Sequence, residues 1–104
     1  DYYRAAIGIM RQSLNRPRFY ICTDDKVWAR NEFKEEQDIE IIDITSATQD
    51  IDEFFLLSVC HHQIISESTF GWWAAYLNMH TDKRIIIPAD AQGAIFNQNN
   101  WTRI

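Results

Sequence analysis

Two short runs of polar residues carry groups that could bind an anionic or hydroxylated ligand. In Thr23-Asp24-Asp25, two carboxylates could accept hydrogen bonds from ribose hydroxyls or a guanine edge, or could hold a metal ion. In Ser66-Glu67-Ser68-Thr69-Phe70, hydroxyls precede a helical pattern, so first-turn N–H groups and hydroxyls together could meet an anion. Each run also has a structural explanation, since acidic residues suit a helix start and Ser68 suits an N-cap worth about 1 kcal/mol. Position alone favours the structural explanation for both runs.

The other reactive side chains do not form a recognisable catalytic set. Cys60-His61-His62 has the residue types of a metal site, but adjacent side chains point apart and no fourth ligand follows at finger spacing. Cys22 and Cys60 lie far apart in the sequence, and we expect both to be reduced, buried thiols. The glycine patterns of dinucleotide-binding and P-loop proteins are absent from the sequence, which removes the main support for both classes.

Periodicity predicts that helices and strands alternate along the chain. Apolar residues recur at spacings of three and four in the helical stretches, and the strands are short and rich in isoleucine. The predicted order is helix 3–14, strand 19–22, helix 27–33, strand 39–44, helix 50–60, strand 63–66, helix 68–79 and strand 84–87. Residues 89–104 are rich in Asn and Gln, and their structure is ambiguous.

The alternation predicts an α/β fold, a Rossmann-like parallel sheet of about four strands with helices on both faces. The Ile-dominated strands agree, because parallel strands are buried on both sides. Helix 50–60 is apolar on most of its circumference, so we expect it to be well buried. Of the adjacent indoles, we expect Trp73 in the core, since it continues the stripe of Phe70 and Leu77.

Length and charge limit the classes of function. A chain of 104 residues fits one domain, 1–104, and 46% apolar residues fit a packed core. A formal charge of −5 excludes the broad positive field that nucleic acid or an anionic membrane would require. No apolar run approaches the roughly 20 residues needed to span a bilayer. Because the sequence opens at Asp1 inside a helical pattern, we expect a fragment of a longer protein.

The fold class also places the two polar runs. In open parallel α/β sheets, ligands bind beyond the carboxyl ends of the strands, where loops lead into helices. The run 23–25 follows the first predicted strand, and the run 66–70 follows the third. Both runs therefore stand where such a fold binds its ligand.

Three ordered blocks resemble the C-terminal half of the α-1,2-fucosyltransferases, glycosyltransferase family 11. The first is Phe19-Tyr20-Ile21-Cys22-Thr23-Asp24-Asp25 followed by Trp28, where the family typically reads F-x-I-F-S-D-D-x-x-W. The second is EFFLLSVCHHQII at 53–65, where the family reads D-L-x-L-M-S-x-C-K-H-x-I-I. The third is SESTFGWWAA at 66–75, where the family reads A-N-S-T-F-S-W-W-G-A. Together the blocks cover most of residues 19–77.

The resemblance implies half of a GT-B-like enzyme that transfers fucose from GDP-fucose to a glycan acceptor, usually a terminal galactose, with inversion. It implies no cofactor and no required metal. This chain would be the donor-binding half, and its partners would be GDP-fucose, the galactose-containing acceptor and the missing N-terminal half of the same chain. By position, the implied nucleotide-sugar-binding residues are Thr23, Asp24 and Asp25 at the nucleoside, Glu53 near the guanine, and Ser68 and Thr69 at the β-phosphate with Phe70 beside them.

The sequence departs from the family pattern in several places. Glu53 stands where the family has Asp, with Asp52 before it, so either carboxylate could reach the base. Glu67 replaces an Asn and puts a negative charge beside the phosphate site, which weakens binding unless it turns away. Gly71 replaces a small polar residue and is expected to leave extra room. The family segment H-x-R-R-G-D-Y, expected upstream, is absent, so we expect an inactive fragment and assign it no catalytic residue.

Two other classes stay open on the residues. A non-catalytic nucleotide-binding or receiver-like regulatory module would use Asp24 and Asp25 as an acidic metal pocket, although Lys83 stands at the beginning of the last predicted strand. A metal-dependent phosphohydrolase would use the same carboxylates, but it normally needs D-x-D spacing and further acids. For localisation, we expect the cytoplasm, at the inner face of a bacterial membrane, with any membrane association supplied by the missing part.

Overall fold

The predicted alternation of helices and strands is confirmed in a computed structural model, which describes residues 1–98 and 100–104. The elements are α1 Tyr2–Ser13, β1 Phe19–Ile21, α2 Lys26–Glu32, β2 Ile39–Ile41, α3 Gln49–Val59, β3 Gln63–Ile64, α4 Thr69–Leu77, β4 Ile85–Ile87 and β5 Trp101–Arg103. A short 3-10 helix, Ala94–Phe96, lies between β4 and β5. Across these described residues, no helix combines the length and apolar character needed to cross a membrane.

The strands form two parallel sheets where the sequence predicted one. β1 pairs with β2, and β3, β4 and β5 form the second sheet in that order. All three pairings are parallel, and the two that join predicted strands, β1–β2 and β3–β4, agree with the predicted parallel sheet. Within the described residues the predicted sheet is divided, because β1 and β3, the two strands that face each other across the break, do not pair.

The tail 89–104 supplies a fifth strand that the sequence did not predict. β5 lies parallel to β4, with Ile85 opposite Trp101 and Ile87 opposite Arg103. The main-chain N–H of Ile104 donates to the oxygen of Ile87 at 3.2 Å, so the pairing continues past the strand. Main-chain hydrogen bonds to β4 hold β5 in register, and β5 has no alternating apolar pattern. The Asn- and Gln-rich sequence therefore did not indicate a strand. Asn99, also part of this ambiguous stretch, lies outside the described residues.

Helices cover both faces of the larger sheet. Ile85 and Ile87 point to the cluster under α4, which includes Trp72. Ile86 points to the opposite cluster, where α1 contributes Ala6 and Met10. Since successive strand residues face opposite sides, α1 and α4 must lie on different faces.

Each face carries a pair of helices. α1 and α2 are joined by Arg4, which bonds to both the carboxylate and the main-chain oxygen of Glu32 at 2.9 Å. α3 and α4 are joined by Phe54 and Phe70, whose ring centroids lie 5.4 Å apart at 79°. The doubly covered arrangement predicted from the sequence is therefore present around the two sheets.

The expected burial of α3 is wrong. Its one buried residue is Glu53, whereas Ile51 and Phe55 are about two-thirds exposed, at 69% and 67%. α3 packs on α4, and its Glu53 meets Lys26 of α2, but Ile51 and Phe55 stay at the surface in the described residues. An apolar helix is buried only when neighbouring elements cover every side, and the described residues leave the side of Ile51 and Phe55 uncovered.

The indole assignment on α4 is also wrong. Trp72 is the core residue, and Trp73 is 49% exposed. Trp72 stacks on Tyr76 at 11°, and its Nε1–H donates to the main-chain oxygen of Ile95 in the 3-10 helix. The tail that contains the 3-10 helix folds over the Trp72 side of α4, and this contact decides which indole is covered.

Candidate functional site

A cleft of about 540 Å³ separates β1 from β3. Tyr20 and Ile64 lie on its two walls, and Ile7 and Met10 of α1 close one side. Thr23 and Ser68 also line it, and each follows the strand that forms its wall. The cleft therefore opens, at the carboxyl edge of both sheets, between the two polar loops that the sequence singled out.

Successive strands are added on opposite sides of this cleft. After β1 the chain crosses through α2 to β2 on one side, and after β3 it crosses through α4 to β4 on the other. In open α/β folds the ligand crevice lies where the strand order reverses in this way, just outside the carboxyl ends. The topology thus places the candidate site at the mouth of the cleft.

The loop after β1 is held by local hydrogen bonds. The N–H of Asp25 donates to Oγ1 of Thr23 at 3.1 Å, and Oδ1 of Asp25 accepts the N–H of Trp28 at 3.0 Å as the N-cap of α2. Asp24 is exposed, and no hydrogen bond is formed by its carboxylate within the described residues. Of the two adjacent acids, Asp25 fixes the helix start and Asp24 is available to a ligand.

The loop after β3 forms the start of α4. Ser68 is its N-cap, and Oγ accepts the N–H of Gly71 at 3.2 Å, as the structural explanation required. The N–H groups of Thr69 and Phe70 have no acceptor in the part of the chain that is described, as expected for a first helical turn. Glu67 is exposed. Two free N–H donors thus remain beside the mouth of the cleft.

Gly71 leaves no extra room, contrary to the expectation from the sequence. A Cβ placed on it would lie 3.0 Å from Cβ and 3.2 Å from Cγ2 of Ile65. Ile65 is 2% exposed, so its position is fixed by packing on all sides. Glycine here allows the first turn of α4 to approach the end of β3 closely.

Glu53 lies apart from the residues that line the cleft. It is buried on α3, with Oε1 3.3 Å from Nζ of Lys26. The same Nζ donates to the main-chain oxygen of Thr23 at 2.9 Å. Asp52 accepts instead from Ser46 and Thr48, at 3.0 Å each, at the start of α3. Of Asp52 and Glu53, the carboxylate that reaches the loop after β1 through Lys26 is therefore already paired with a cation.

Cys22 and Cys60 are free thiols, and both line the cleft. Both are half-buried, and not fully buried as the sequence suggested. Burial raises the pKa of Cys22 to about 11 from 9.0, with a further increase from the nearby Glu53 carboxylate. Burial also raises the pKa of Cys60. Both are neutral thiols near neutral pH, which makes them poor nucleophiles.

The histidines lie at the opposite end of the cleft from the candidate loops. His61 and His80 stack with ring centroids 4.1 Å apart, and Nε2 of His61 lies 2.6 Å from Oδ1 of Asp82. The contact with His61 lowers the pKa of Asp82, and partial burial lowers the pKa of His62. Within residues 1–98 and 100–104, no three potential ligands are arranged to hold a metal ion. The three histidines and Asp82 therefore contact one another at the end of the cleft away from the candidate loops.

The structure brings together some of the sequence-predicted residues and separates others. Thr23, Ser68 and Phe70 line one cleft, with Asp24, Asp25 and Thr69 next to them in the chain. The Glu53 carboxylate is connected to this group through Lys26. Lys26 was missed by sequence reasoning, and its place directly after the paired acids was the available signal. The site so defined has two free N–H donors, one free carboxylate and several hydroxyls.

Comparisons with known proteins point to one family of transferases. A model of glycosyl transferase family 11 matches residues 1–104. The O-antigen biosynthesis glycosyltransferase WbnK of Escherichia coli is 31% identical over 88 residues, covering 85% of this chain and 29% of WbnK. Galactoside 2-alpha-L-fucosyltransferase SEC1 of Bos taurus is 32% identical over 77 residues, covering 73% of this chain and 21% of SEC1.

A third relative differs in the sugar that it is named for. The alpha-1,2-colitosyltransferase of Escherichia coli is 32% identical over 80 residues, covering 73% of this chain and 27% of that protein. The chain thus spans less than a third of the length of these curated relatives. No solved structure matches it significantly.

Proposed function

Because this chain belongs to glycosyl transferase family 11, we propose that its intact protein is an inverting α-1,2-fucosyltransferase that uses GDP-fucose as donor. The acceptor would be a galactose-containing glycan. In this proposal, residues 1–104 form the C-terminal, donor-binding half of a GT-B-like enzyme, and the fragment alone is inactive. The named fucosyltransferase relatives support the reaction class.

One observation carries the donor-binding role. The loop after β1 and the loop after β3 reach the same mouth of one cleft, at the point where the strand order changes sides. This is the position at which open α/β sheets bind nucleotides. No other arrangement in the described residues combines free helix N–H donors with a free carboxylate at a strand end.

The residues divide into two groups by their chemistry. The N–H groups of Thr69 and Phe70, with the hydroxyls of Ser68 and Thr69, would receive the β-phosphate, because a helix N-terminus favours an anion. Thr23, Asp24 and Asp25 would accept hydrogen bonds from the nucleoside. Glu53 is proposed near the guanine on the resemblance, and its ion pair with Lys26 would persist or be exchanged on binding.

The proposal includes no cofactor, no required metal and no catalytic residue in this chain. Lys83, the cation that a receiver-like module would use, donates to the carbonyls of Ala75 and Asn78 at the end of α4. It therefore belongs to the packing of a helix end, which disfavours the regulatory alternative. We place the protein in the cytoplasm, at the inner face of a bacterial membrane, a proposal that fractionation of the intact protein would test.

Colitose is the second candidate donor sugar. The colitosyltransferase matches as much of this chain, at the same identity, as the fucosyltransferase SEC1 does. The nucleotide contacts proposed above would serve either donor equally well, so the two candidates differ only in the sugar pocket. Parallel assays of the intact protein with GDP-fucose and GDP-colitose would separate them.

The first test is a backbone-amide NMR titration of this chain with GDP, with ADP as the matched control. We expect selective shifts at 23–25, at Glu53 and at 68–70 with GDP and none with ADP. A transfer assay of the intact protein with GDP-fucose then tests the reaction itself. Equal shifts with both nucleotides would contradict guanine recognition, and an intact protein that neither binds nor uses GDP-fucose would overturn the proposal.

A further inference from the structure

The wall of the cleft formed by β1 presents unpaired main-chain groups. The N–H of Phe19 donates to Asp38 and the oxygen of Ile21 accepts from Ile42, so these two residues face β2. In a parallel ladder, successive residues of one strand alternate in the side to which they bond. Tyr20 therefore directs its N–H and C=O into the cleft, and neither group is bonded within the described residues.

The opposite wall has the same property. The N–H groups of Gln63 and Ile65 donate to Arg84 and Ile86 at 3.2 and 3.0 Å, so both residues face β4. Ile64 consequently directs its main-chain groups into the cleft, where it too lacks a partner in the described part of the chain. An unpaired strand edge presents a row of N–H and C=O groups that readily pairs with another strand. Two facing strand edges without partners therefore indicate a missing strand.

The cleft has the size of a short strand. A strand within a sheet occupies about 4.8 Å in width, 10 Å in depth and 3.3 Å along the chain for each residue. On that basis the 540 Å³ of the cleft takes about three residues. β1, on its wall, is also three residues long.

The position of α1 indicates where such a strand is encoded. The phenol oxygen of Tyr2, at the start of α1, lies 2.6 and 2.8 Å from the main-chain oxygens of Ile65 and Ile86, so α1 begins at the carboxyl edge. The helix then runs back along the cleft and leads into β1. A parallel strand that ended at this edge could enter α1 through a short connection.

Handedness supports the same position. α2 carries the chain from β1 to β2, away from the cleft, on the face that it shares with α1. A strand in the cleft would reach β1 through α1 on that face and in that direction, so the two crossovers would have the same hand. Crossovers between parallel strands are right-handed in about 98% of cases. A strand placed beyond β2 would give opposite hands and is disfavoured.

We propose that a strand encoded immediately before Asp1 in the intact protein fills the cleft, parallel to β1 and β3. Its main chain pairs with Tyr20 on one side and Ile64 on the other, and joins the two sheets into one sheet of six strands. The matched residues cover only 29% and 21% of two curated relatives, which leaves ample sequence for such a strand. The carboxyl end of the strand reaches the mouth between Thr23 and Ser68 and contributes to the candidate site.

Residue-resolved amide hydrogen exchange tests this proposal by comparing the intact protein with the 104-residue chain. We expect the N–H groups of Tyr20 and Ile64 to exchange about 100-fold more slowly in the intact protein. Ile21 and Ile65, which bond to β2 and β4, are the matched controls, and their ratio should be much smaller. Equal exchange of Tyr20 and Ile64 in both samples would overturn the proposal, whether or not the protein uses GDP-fucose.

Two further measurements separate other occupants of the cleft. Protection that appears in the 104-residue chain only as it dimerises, followed by light scattering, would identify a second copy as the occupant and overturn the proposal. Protection that requires GDP in the intact protein would identify a ligand instead.

A pair of variants tests the strand by stability. Tyr20→Pro removes the N–H on the cleft side and no N–H that bonds to β2, whereas Tyr20→Ala keeps the cleft-side N–H. We expect the proline to lower the unfolding midpoint of the intact protein more than alanine does, and equal effects would count against the strand.

Discussion

Nζ of Lys26 lies 3.3 Å from Oε1 of Glu53, so an ion pair joins α2 to α3 behind the loop that follows β1. The two side chains are 20% and 10% exposed, which makes this pair far less solvated than the Arg18–Glu40 pair, at 54% and 56%. Because Lys26 also bonds to the main-chain oxygen of Thr23, the pair holds one side of the candidate site. Glu53 could thus serve the site by fixing Lys26, by contacting the base, or by both.

A double-mutant cycle on Lys26 and Glu53 should show strong coupling. Removing one member leaves the other poorly solvated and unpaired, so Lys26→Met and Glu53→Gln should each lower the free energy of unfolding by about 1–3 kcal/mol. The double variant should lose less than the sum of the two, as measured by urea unfolding. Arg18→Met and Glu40→Gln form the exposed control cycle, with coupling under about 1 kcal/mol. Additive losses at Lys26 and Glu53 would show that their contact is not an effective pair.

The same two variants distinguish a base contact from a positioning role for Glu53. If Glu53 contacts the guanine directly, Glu53→Gln weakens GDP binding much more than Lys26→Met does, in calorimetry on the intact protein. If Glu53 acts by holding Lys26, the two variants weaken GDP binding equally. We expect the direct contact on the resemblance, and equal losses would assign Glu53 the positioning role.

Ser68→Asp should separate the helix cap from phosphate binding. Asp is about as good an N-cap as Ser, so the stability of the chain should change by less than about 0.5 kcal/mol. Its negative charge beside the free N–H groups should nevertheless reduce GDP affinity at least tenfold. Ser68→Ala is the comparison variant. It should lose about 1 kcal/mol of stability, because the cap is removed, and it should weaken GDP binding less than Ser68→Asp does. Undiminished GDP binding by a folded Ser68→Asp protein would remove this helix start from the donor site.

Alanine at the two helical glycines should have opposite effects. A Cβ on Gly8 in α1 would have no atom within 4 Å, so Gly8→Ala should stabilise the chain by about 0.5–1 kcal/mol through helix propensity. A Cβ on Gly71 would meet Ile65 at 3.0 Å, so Gly71→Ala should destabilise it by about 1–2 kcal/mol in spite of the same propensity gain. Thermal unfolding of both variants gives the answer. A stabilised Gly71→Ala protein would mean that Ile65 can move.

Cys22 should be a slow nucleophile in the folded chain. Its pKa is raised from 9.0 to about 11, so at pH 8 its thiolate fraction is about 100-fold below that of an unfolded thiol. Iodoacetamide should react correspondingly slowly in a Cys60→Ser background, with the urea-unfolded chain as the reference. Because the folded pKa is the higher one, the stability linked to this thiol is complete below pH 9 and is lost as the pH rises towards 11. Similar alkylation rates in both states would contradict the burial of Cys22.

Local features of the fold were predictable from the sequence, and features that depend on distant segments were not. The cap at Ser68 was predictable because Ser-Thr before an apolar helical pattern acts within one turn. β5 and the choice of Trp72 over Trp73 were not, since both depend on where the tail packs. The exposure of Phe55 likewise depends on how many neighbours cover α3.

The candidate site shows the same division. Position after strand ends brought Thr23 and Ser68 into consideration, and both line one cleft. The cleft itself depends on whether β1 and β3 pair, although they lie more than 40 positions apart in the sequence. The contact of Lys26 with Glu53 spans 27 positions, and each residue alone is compatible with an ordinary surface charge.

The start of α1 and the residue that follows β5 lie on the same edge of the fold. Tyr2 and Ile104 both pack on the cluster that contains Ile86, and Ile104 follows β5 at its carboxyl end. This edge also carries the mouth of the cleft. One small apolar cluster therefore holds both the start of α1 and the end of the β4–β5 ladder at the rim of the candidate site.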